Sequence, residues 1–331
     1  MVRVFDKMLL FQGVDMNNTL FIVVPCYNEE EVLRETAKRL EFKVKALISG
    51  GDIAGNSKIV FVDDGSRDST WGIIEQLSGE SGLFAGIKLS RNRGHQHALL
   101  AGLMSVRNAA DMVISIDADL QDDIDAIDDM VQEYLKGCDI VYGVRQNREK
   151  DSFFKRFTAE SYYKLLRSFG CDIVFNHADY RLMSSRALEA LSEYREQSLF
   201  LRGLVPMLGY KTAVVPYTRG EREAGESKYP LKRMLALALN GLTSLSLRPL
   251  RAVIAVGFAM VVLALALLVF SFVRLSMGFS MLDWKIILVS IWGVGGIITF
   301  SLGVVGEYVG RAYLEAKGRP RFNIDKTAGE L

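Results

Sequence analysis

Oxygen-bearing side chains cluster at two points in the first half of the chain. Asp63 and Asp64 directly follow one short apolar segment, and Asp117, Asp119 and Gln121 follow another. Clustered carboxylates repel one another unless a positive charge lies among them, and oxygen ligands beside a diphosphate favour a hard cation such as Mg²⁺ or Mn²⁺. These residues predict a site for a divalent cation and a nucleoside diphosphate.

The elements that must position these residues follow from five apolar segments that alternate with helical patterns. The predicted strands are residues 20–24, 58–62, 85–89, 112–116 and 140–144. Such alternation is typical of parallel strands with crossover helices, and continuous apolar runs suit strands covered on both faces. We therefore predict an α/β domain over residues 19–227, with a wound, mainly parallel sheet and helices on both faces. Ligands bind beyond the carboxyl ends of such strands, where the acidic residues lie.

Composition and missing motifs exclude several classes of protein. Forty Lys and Arg against 39 Asp and Glu give a net charge of +1, too balanced for a dedicated nucleic-acid binder. Three cysteines without paired short spacings fit a reducing compartment. No G-x-G-x-x-G follows the first strand and no P-loop motif occurs, which argues against dinucleotide dehydrogenases and P-loop enzymes. His95 and His97 lie two residues apart on a predicted helix and do not face the same way, so we expect His95 to contact substrate or cap the helix instead.

Two uncharged segments in the last third of the chain are long enough to cross a bilayer. Residues 252–273 and 286–305 each span roughly 30 Å as helices. Basic residues flank the pair on both outer sides, which places both termini in the cytosol. We predict a transmembrane hairpin, preceded by an interfacial amphipathic segment (228–251) and followed by a C-terminal helix and tail (306–331); residues 1–18 form an N-terminal tail. A buried core helix is the alternative for either segment.

Seven motifs in a fixed order carry a family resemblance. They are IVVPCYNEEE, VDDGSRDST, LSRNRGHQHALLAGL, DADLQD, ADYRLM, REAGESKY and GEYVGRAYLEAKGRPRF. With the paired uncharged segments, this set resembles the family 2 glycosyltransferases that charge polyprenyl phosphates. It is similar in particular to the bactoprenol (undecaprenyl-phosphate) glucosyltransferases, which are related to dolichyl-phosphate mannose synthase.

The resemblance implies a GT-A fold and transfer of a sugar from a nucleotide sugar to a polyprenyl phosphate, with inversion at the anomeric carbon. The expected donor is UDP-glucose, with N-acetylglucosamine, mannose and 4-amino-arabinose donors as alternatives. The expected cofactor is Mg²⁺ or Mn²⁺. The resemblance further implies a multi-pass protein of the bacterial inner membrane that forms a homo-oligomer, a tetramer in the family.

The resemblance also assigns residues to roles. The implied nucleotide-sugar ligands are Pro25, Tyr27, Glu29, Asp63, Asp64 and Asp117, and the implied metal ligands are Asp117, Asp119 and Gln121. The implied catalytic residues are Asp179, Asp119 and Arg145. The implied contacts of the acceptor phosphate are Arg145, Arg156, Arg222, Ser227 and Lys228, with Arg148 as a further candidate.

The role of Asp179 stays open at this point. A phosphate monoester has a second pKa near 6 and is mostly ionised at neutral pH, so the reaction does not demand a general base. Asp179 is therefore a base, a residue that orients the donor or an arginine, a simple partner of Arg181, or a cap for the helix expected near Ser184.

Two further functions compete with this interpretation. A processive polysaccharide synthase shares the early motifs but usually carries a Q-x-x-R-W motif and more spans, and this sequence has neither. A non-catalytic scaffold that binds lipid or nucleotide would be indicated by loss of the acidic residues, all of which are present.

Overall fold

The computed structural model describes residues 18–119, 121–145, 177–197, 199–218, 220, 248–277 and 284–331. The chain forms two compact units. The first comprises Met1–Glu160, Asp172–Lys228 and Pro320–Leu331, and the second comprises Ser161–Cys171 and Tyr229–Arg319.

The first unit is built on one sheet. Its strands are β1 (Leu20–Cys26), β2 (Lys58–Asp63), β3 (Phe84–Leu89), β4 (Met112–Ser115), β5 (Ile140–Arg145), β6 (His177–Ser184), β7 (Thr212–Tyr217) and β8 (Ile324–Ala328). Its described helices are α1 (Leu33–Gly50), α2 (Thr70–Glu80), α3 (His95–Val106), α4 (Ala126–Leu135), α5 (Ser185–Ser192) and α6 (Leu201–Met207). The second unit contains α7 (Arg248–Ser276) and α8 (Trp284–Ala316).

The strand order is β7-β5-β6-β4-β1-β2-β3-β8. Strands β6 and β8 run antiparallel to their neighbours, and the other six share one direction. The predicted mainly parallel sheet is therefore confirmed, and each of the five predicted strands is present. Strands β6, β7 and β8 were not predicted.

Helices cover both faces of the sheet, because the strands are apolar on both sides. Along β1, Leu20, Ile22 and Val24 pack into one core with α1, α2 and α4. Phe21 and Val23 point the other way and pack with α3, α5 and α6. This alternation follows from the two-residue period of a strand, and the predicted placement of helices on both faces is confirmed.

Helix α3 lies unusually close to the sheet. A Cβ atom on Gly102 would be 2.4 Å from Val23 Cγ1 and 2.7 Å from Val62 Cγ2, so only glycine allows this approach. The contact fixes α3 against β1 and β2. It thereby places the first residue of α3 at the carboxyl ends of the parallel strands.

The C-terminal segment of the chain completes the sheet. After α8, β8 pairs antiparallel with β3, and the Ser90 amide donates to the Asn323 carbonyl over 3.0 Å. Arg321 donates to the Tyr194 carbonyl over 2.6 Å, and Phe322 packs against the core that contains α3. Residues expected only as a tail thus form an edge strand with its own anchoring contacts.

The two uncharged segments of the sequence are both helical. Helices α7 and α8 cover them and contact each other. Large apolar side chains on them are exposed, including Phe258 (71 %), Phe272 (74 %) and Phe300 (70 %). Within the part of the chain that the structure describes, one stretch, Gly293–Ala316, is long and apolar enough to cross a membrane. The two-span hairpin remains a prediction.

Candidate active site

Asp63 ends β2 in register with Cys26 at the end of β1. It is fully buried, and its Oδ1 accepts a hydrogen bond from the Ser66 amide over 3.0 Å. Its Oδ2 finds no hydrogen-bond partner among the described residues. A buried carboxylate oxygen without a donor is costly. The atom is therefore suited to accept from an N–H or O–H group of a ligand.

The loops after β1 and β2 are locked together beside Asp63. The Asn28 amide donates to Ser66 Oγ, the Arg67 amide donates to Asn28 Oδ1, and the Glu29 amide donates to Thr70 Oγ1, each over 2.9 to 3.0 Å. Asn28 adopts a left-handed conformation with φ of 53°, which asparagine tolerates better than most residues. These hydrogen bonds fix the two loops against each other, and together the loops form one wall of the site.

The other predicted nucleotide ligands lie along this wall. Pro25 is buried within β1, and Tyr27 and Glu29 follow at its carboxyl end. Tyr27 is 36 % exposed, so its aromatic ring is accessible directly after the last residue of β1. The structure therefore brings together the residues expected to bind the nucleoside.

Asp64 joins the end of β2 to the start of α3. Its oxygens accept from the amides of Arg93 (2.7 Å) and Gly94 (2.8 Å), which directly precede α3. Burial raises the pKa of Asp64, and these two hydrogen bonds oppose the shift without cancelling it. The carboxylate of Asp64 is thus largely used to hold the β3–α3 loop in place.

His95 is the first residue of α3 and bridges two acidic residues. Its Nε2 lies 3.4 Å from Asp179 Oδ2 and 3.6 Å from Asp117 Oδ1. Burial lowers the pKa of His95, but the hydrogen bond to Asp179 and the charges of Asp117 and Asp179 outweigh it and raise the pKa to about 9. His95 is therefore a cation at neutral pH and links the ends of β4 and β6.

Both oxygens of Asp179 are occupied by cations. Oδ1 accepts from Arg181 Nη2 (2.7 Å) and Arg202 Nε (3.2 Å), and Oδ2 accepts from Arg202 Nη2 (3.0 Å) beside His95. Burial would raise the pKa of Asp179, but the charge of Arg202, the hydrogen bond from His95 and the charge of Arg181 hold that pKa well below its usual range. The group is ionised and saturated with donors. Its pairing with Arg181 is confirmed, whereas α5 is capped by the Ser184 hydroxyl and not by Asp179.

The residues predicted to bind a metal lie in the loop after β4. Asp117 and Asp119 are partly exposed, and Asp119 Oδ1 accepts from the Gln121 amide over 3.2 Å. No group of three or more His, Cys, Asp or Glu within the described ranges could hold a metal ion by itself. Mg²⁺ is usually bound through one or two carboxylates together with substrate phosphates and waters. Two carboxylates and an amide oxygen fit such a cation.

Arg145 ends β5, and its guanidinium meets two buried side chains. Nε donates to the Tyr217 hydroxyl over 3.0 Å, Nη2 lies 3.6 Å from Asp122 Oδ1, and the Tyr217 hydroxyl donates to Asp122 Oδ1 over 2.6 Å. The side chain of Arg145 remains 24 % exposed. The other residues expected to contact the acceptor phosphate, Arg148, Arg156, Arg222, Ser227 and Lys228, lie outside the described residues.

Four of these residues were not recognised in their roles from the sequence. Arg202, Tyr217 and Asp122 were not singled out, and His95 was expected to contact substrate or cap α3 and not to join two carboxylates. His95 begins the helix that follows β3, at the edge that gathers the acidic residues, and this position could have indicated its role. Nothing in the sequence around Arg202 connects it to Asp179, because the pairing depends on how α6 packs beside β6.

The sequence profile of Glycosyl transferase family 2 matches residues 21–192. An uncharacterized glycosyltransferase, YkoT of Bacillus subtilis, is 49 % identical over 92 % of this chain and 91 % of its own. The prophage bactoprenol glucosyl transferase homolog of Escherichia coli is 36 % identical over 92 % of this chain and 98 % of its own. The solved mannosyl-3-phosphoglycerate synthase of Rubrobacter xylanophilus has 17 % identity and a TM-score of 0.48, covering 71 % of this chain and 74 % of its own.

The chain is a member of glycosyltransferase family 2. Within that family it is similar over most of its length to bactoprenol glucosyl transferases.

Proposed function

We propose that this glycosyltransferase moves a hexose from a nucleoside diphosphate sugar to a polyprenyl phosphate, with inversion at the anomeric carbon. The observation that carries the proposal is that His95 contacts both Asp117 and Asp179 at one edge of the sheet. Asp64 accepts from the Gly94 amide directly before His95, and Asp63 ends β2 beside it. The 36 % identity to bactoprenol glucosyl transferases supports a polyprenyl phosphate acceptor and makes UDP-glucose the first choice of donor.

The donor nucleotide would occupy the wall formed by the loops after β1 and β2. The buried Oδ2 of Asp63 accepts a hydrogen bond from the base or ribose, and Tyr27 offers its exposed ring for packing. Asp117, Asp119 and Gln121 would hold Mg²⁺ or Mn²⁺, which when bound offsets the negative charge that develops on the departing diphosphate. The contacts to the nucleoside and the cation on the diphosphate would thus fix two successive parts of the donor.

The acceptor phosphate needs no proton removed at neutral pH, because its second pKa lies near 6. Its oxygen attacks the anomeric carbon from the side opposite the diphosphate. The new carbon–oxygen bond forms as the bond to the diphosphate breaks, and the leaving group takes that electron pair. Asp179, saturated by Arg181, Arg202 and His95, acts in this scheme as the countercharge that orients Arg202 and His95.

Attachment to a membrane would bring the protein to its lipid substrate. The exposed apolar side chains of α7 and α8 support membrane association. We place the catalytic unit and both termini in the cytosol, since the basic flanks lie on the outer sides of the helix pair. A cysteine substituted for Ser280 should then react with an impermeant reagent added to intact cells. Labelling of a C-terminal tag together with no labelling at position 280 would reverse this topology.

The transfer reaction is tested with a panel of donors. Membranes that contain the protein are incubated with undecaprenyl phosphate and radiolabelled UDP-glucose, UDP-N-acetylglucosamine, GDP-mannose or UDP-4-amino-arabinose. We expect label from UDP-glucose in the lipid fraction, and none with membranes that carry the Asp117→Asn, Asp119→Asn double variant. Label from another donor would change the sugar, label in a polymer would indicate a processive synthase, and no label from any donor would reject the proposal.

The role of Asp179 has a separate test. The Asp179→Asn variant should transfer more slowly yet keep a decline in rate below about pH 6, because that decline follows protonation of the acceptor phosphate. If the acidic decline is present in the wild-type protein and absent in the variant, Asp179 is the general base.

A further inference from the structure

The Tyr217 hydroxyl lies between a cation and an acid at the carboxyl ends of β5 and β7. Arg145 and Tyr217 are paired in register as the last residues of these two parallel strands. Tyr217 is 2 % exposed, and its ring meets Tyr180 edge-on with the centroids 5.2 Å apart. The phenol therefore has little freedom to move, and its hydroxyl is presented at a fixed point.

The loop after β4 accepts hydrogen bonds at three successive residues. Tyr217 donates to the Asp122 carboxylate, Tyr180 donates to the Asp123 carbonyl over 2.9 Å, and the Gly220 amide donates to the Gln121 carbonyl over 2.8 Å. This loop also carries the candidate metal ligands. Its position relative to Arg145 thus depends on the two tyrosines.

The hydroxyl uses both of its hydrogen-bonding capacities. Its single O–H donates to Asp122 Oδ1, and an oxygen lone pair accepts from Arg145 Nε. An arginine beside a carboxylate commonly forms a bidentate pair through two nitrogens. Because the phenol takes Nε, the contact between Arg145 and Asp122 is limited to one ion pair, from Nη2 to Oδ1 over 3.6 Å, and the partly exposed guanidinium does not form the bidentate pair.

We propose that Tyr217 is a positioning residue, which aims the terminal nitrogens of Arg145 at a phosphate group and fixes that cation relative to the loop of Asp119 and Gln121. The inference rests on the proposed function, since it takes the phosphate of the lipid acceptor as the group that Arg145 meets.

Substitution of the hydroxyl alone tests the inference. Tyr217→Phe keeps the ring against Tyr180 and removes both hydrogen bonds of the oxygen. We expect the KM for polyprenyl phosphate to rise about tenfold, the effect of losing one charge-assisted hydrogen bond, with UDP affinity within about twofold of wild type. Tyr210→Phe is the matched control, because the Tyr210 ring packs under Arg186 at the opposite end of β5 and should leave both quantities unchanged.

A double-mutant cycle separates positioning from loss of stability. If Tyr217 acts through Arg145, Tyr217→Phe has no further effect on acceptor KM in the Arg145→Ala background. Full additivity of the two changes, or an unchanged acceptor KM in Tyr217→Phe, would overturn the proposal. A lower melting temperature with unchanged kinetic constants would assign Tyr217 a purely structural role and overturn it equally.

A binding measurement tests the role of Tyr217 independently of whether the protein transfers a sugar. Geranylgeranyl phosphate is titrated calorimetrically into the four proteins of the cycle without any donor. Wild-type binding that Tyr217→Phe weakens only when Arg145 is present supports the inference even if no donor is ever transferred. Absence of binding to the wild-type protein would remove Arg145 as a phosphate contact and with it the inference.

Discussion

Three cationic side chains contact the Asp179 carboxylate, and their charge disfavours its protonation. Arg181 is 1 % exposed and faces Asp179 over 2.7 Å, while Arg202 and His95 engage the remaining oxygen positions. Removing a buried countercharge leaves the cations facing one another without compensation. The loss of Asp179 should therefore disturb the arrangement of every group around it, although Asp179 exchanges no proton in the proposed reaction.

His95 should make stability depend on pH in a defined window. In metal-free protein with a chelator present, the folded-state pKa of His95, about 9, exceeds the ordinary histidine value of about 6.5, so the folded state binds the proton more tightly. This stabilisation is complete below pH 6.5 and is lost as the pH rises through 9. We expect the difference in melting temperature between the wild-type protein and His95→Gln to shrink over that range. A difference that grows with pH would contradict the protonated state.

Asp119→Asn tests the cation site without relying on transfer. The variant keeps the size of the side chain and removes one charged ligand, so Mn²⁺ binding in the presence of UDP should weaken at least about tenfold, and transfer should fall on the order of 100-fold. Electron paramagnetic resonance of free Mn²⁺ measures the first effect. Asp129→Asn, on the exposed side of α4, is the control. Equal Mn²⁺ affinity in both variants would remove Asp119 from the site.

At the level of elements, α3 connects the packing of the core to the active site. Gly102 lies against β1 and β2, and His95 is the first residue of the same helix. Any outward shift of α3 would move His95 away from Asp117 and Asp179.

Gly102→Ala should therefore reduce both stability and transfer. The added methyl group meets Val23 and Val62 at distances that real contacts do not allow, and overpacking of this kind costs about 1–3 kcal/mol of unfolding free energy. Gly79→Ala in α2 is the matched control: no described atom lies within 4 Å of the new methyl group, and helix propensity predicts a gain of about 0.5–1 kcal/mol. Chemical denaturation and transfer rates measure the effects. Full activity in Gly102→Ala would show that α3 does not set the geometry of His95.

The elements that the sequence predicted are those with a local pattern. Strands β1 to β5 are continuous apolar runs, because both of their faces are covered, and such runs are visible without tertiary information. Strand β6 places Asp179 and Arg181 in its interior, so it does not read as apolar. Strand β7 includes Pro216, which an edge strand accommodates and a sequence pattern disfavours.

In the active site too, only the residues next to a local sequence pattern could be placed from the sequence. The acidic residues could be placed from the sequence, since they follow predicted strands directly. The partners Arg202 and Tyr217 lie on elements that were not predicted, and they reach the site only through the packing of β6 and β7. Their roles became visible only with the three-dimensional structure.

At the scale of the whole molecule, the catalytic unit is discontinuous in sequence. Residues before α7 and residues after α8 share one sheet through the pairing of β3 with β8. Deletion of residues 320–331 should leave the edge of β3 unpaired and remove the packing of Phe322, at a cost of at least about 2 kcal/mol of stability and with a tendency to aggregate.

Size-exclusion chromatography and thermal unfolding in detergent measure this effect. Asp325→Asn changes the charge of an exposed side chain on β8 without removing the strand and should behave like wild type. A truncated protein that stays monodisperse with an unchanged melting temperature would show that β8 is dispensable.

The position of β8 in the sequence also determines when the edge of β3 can be paired during translation. Strand β3 ends at Leu89 and its edge partner β8 begins at Ile324, so the ribosome makes β8 only after both long helices. At about 5–20 residues per second, the interval between them is on the order of tens of seconds. During that time the nascent catalytic unit exposes an open edge while both long helices are still being synthesised. The protein is therefore expected to depend on chaperones during translation, and a stop codon ahead of the β8 codons would leave the edge of β3 without a partner strand.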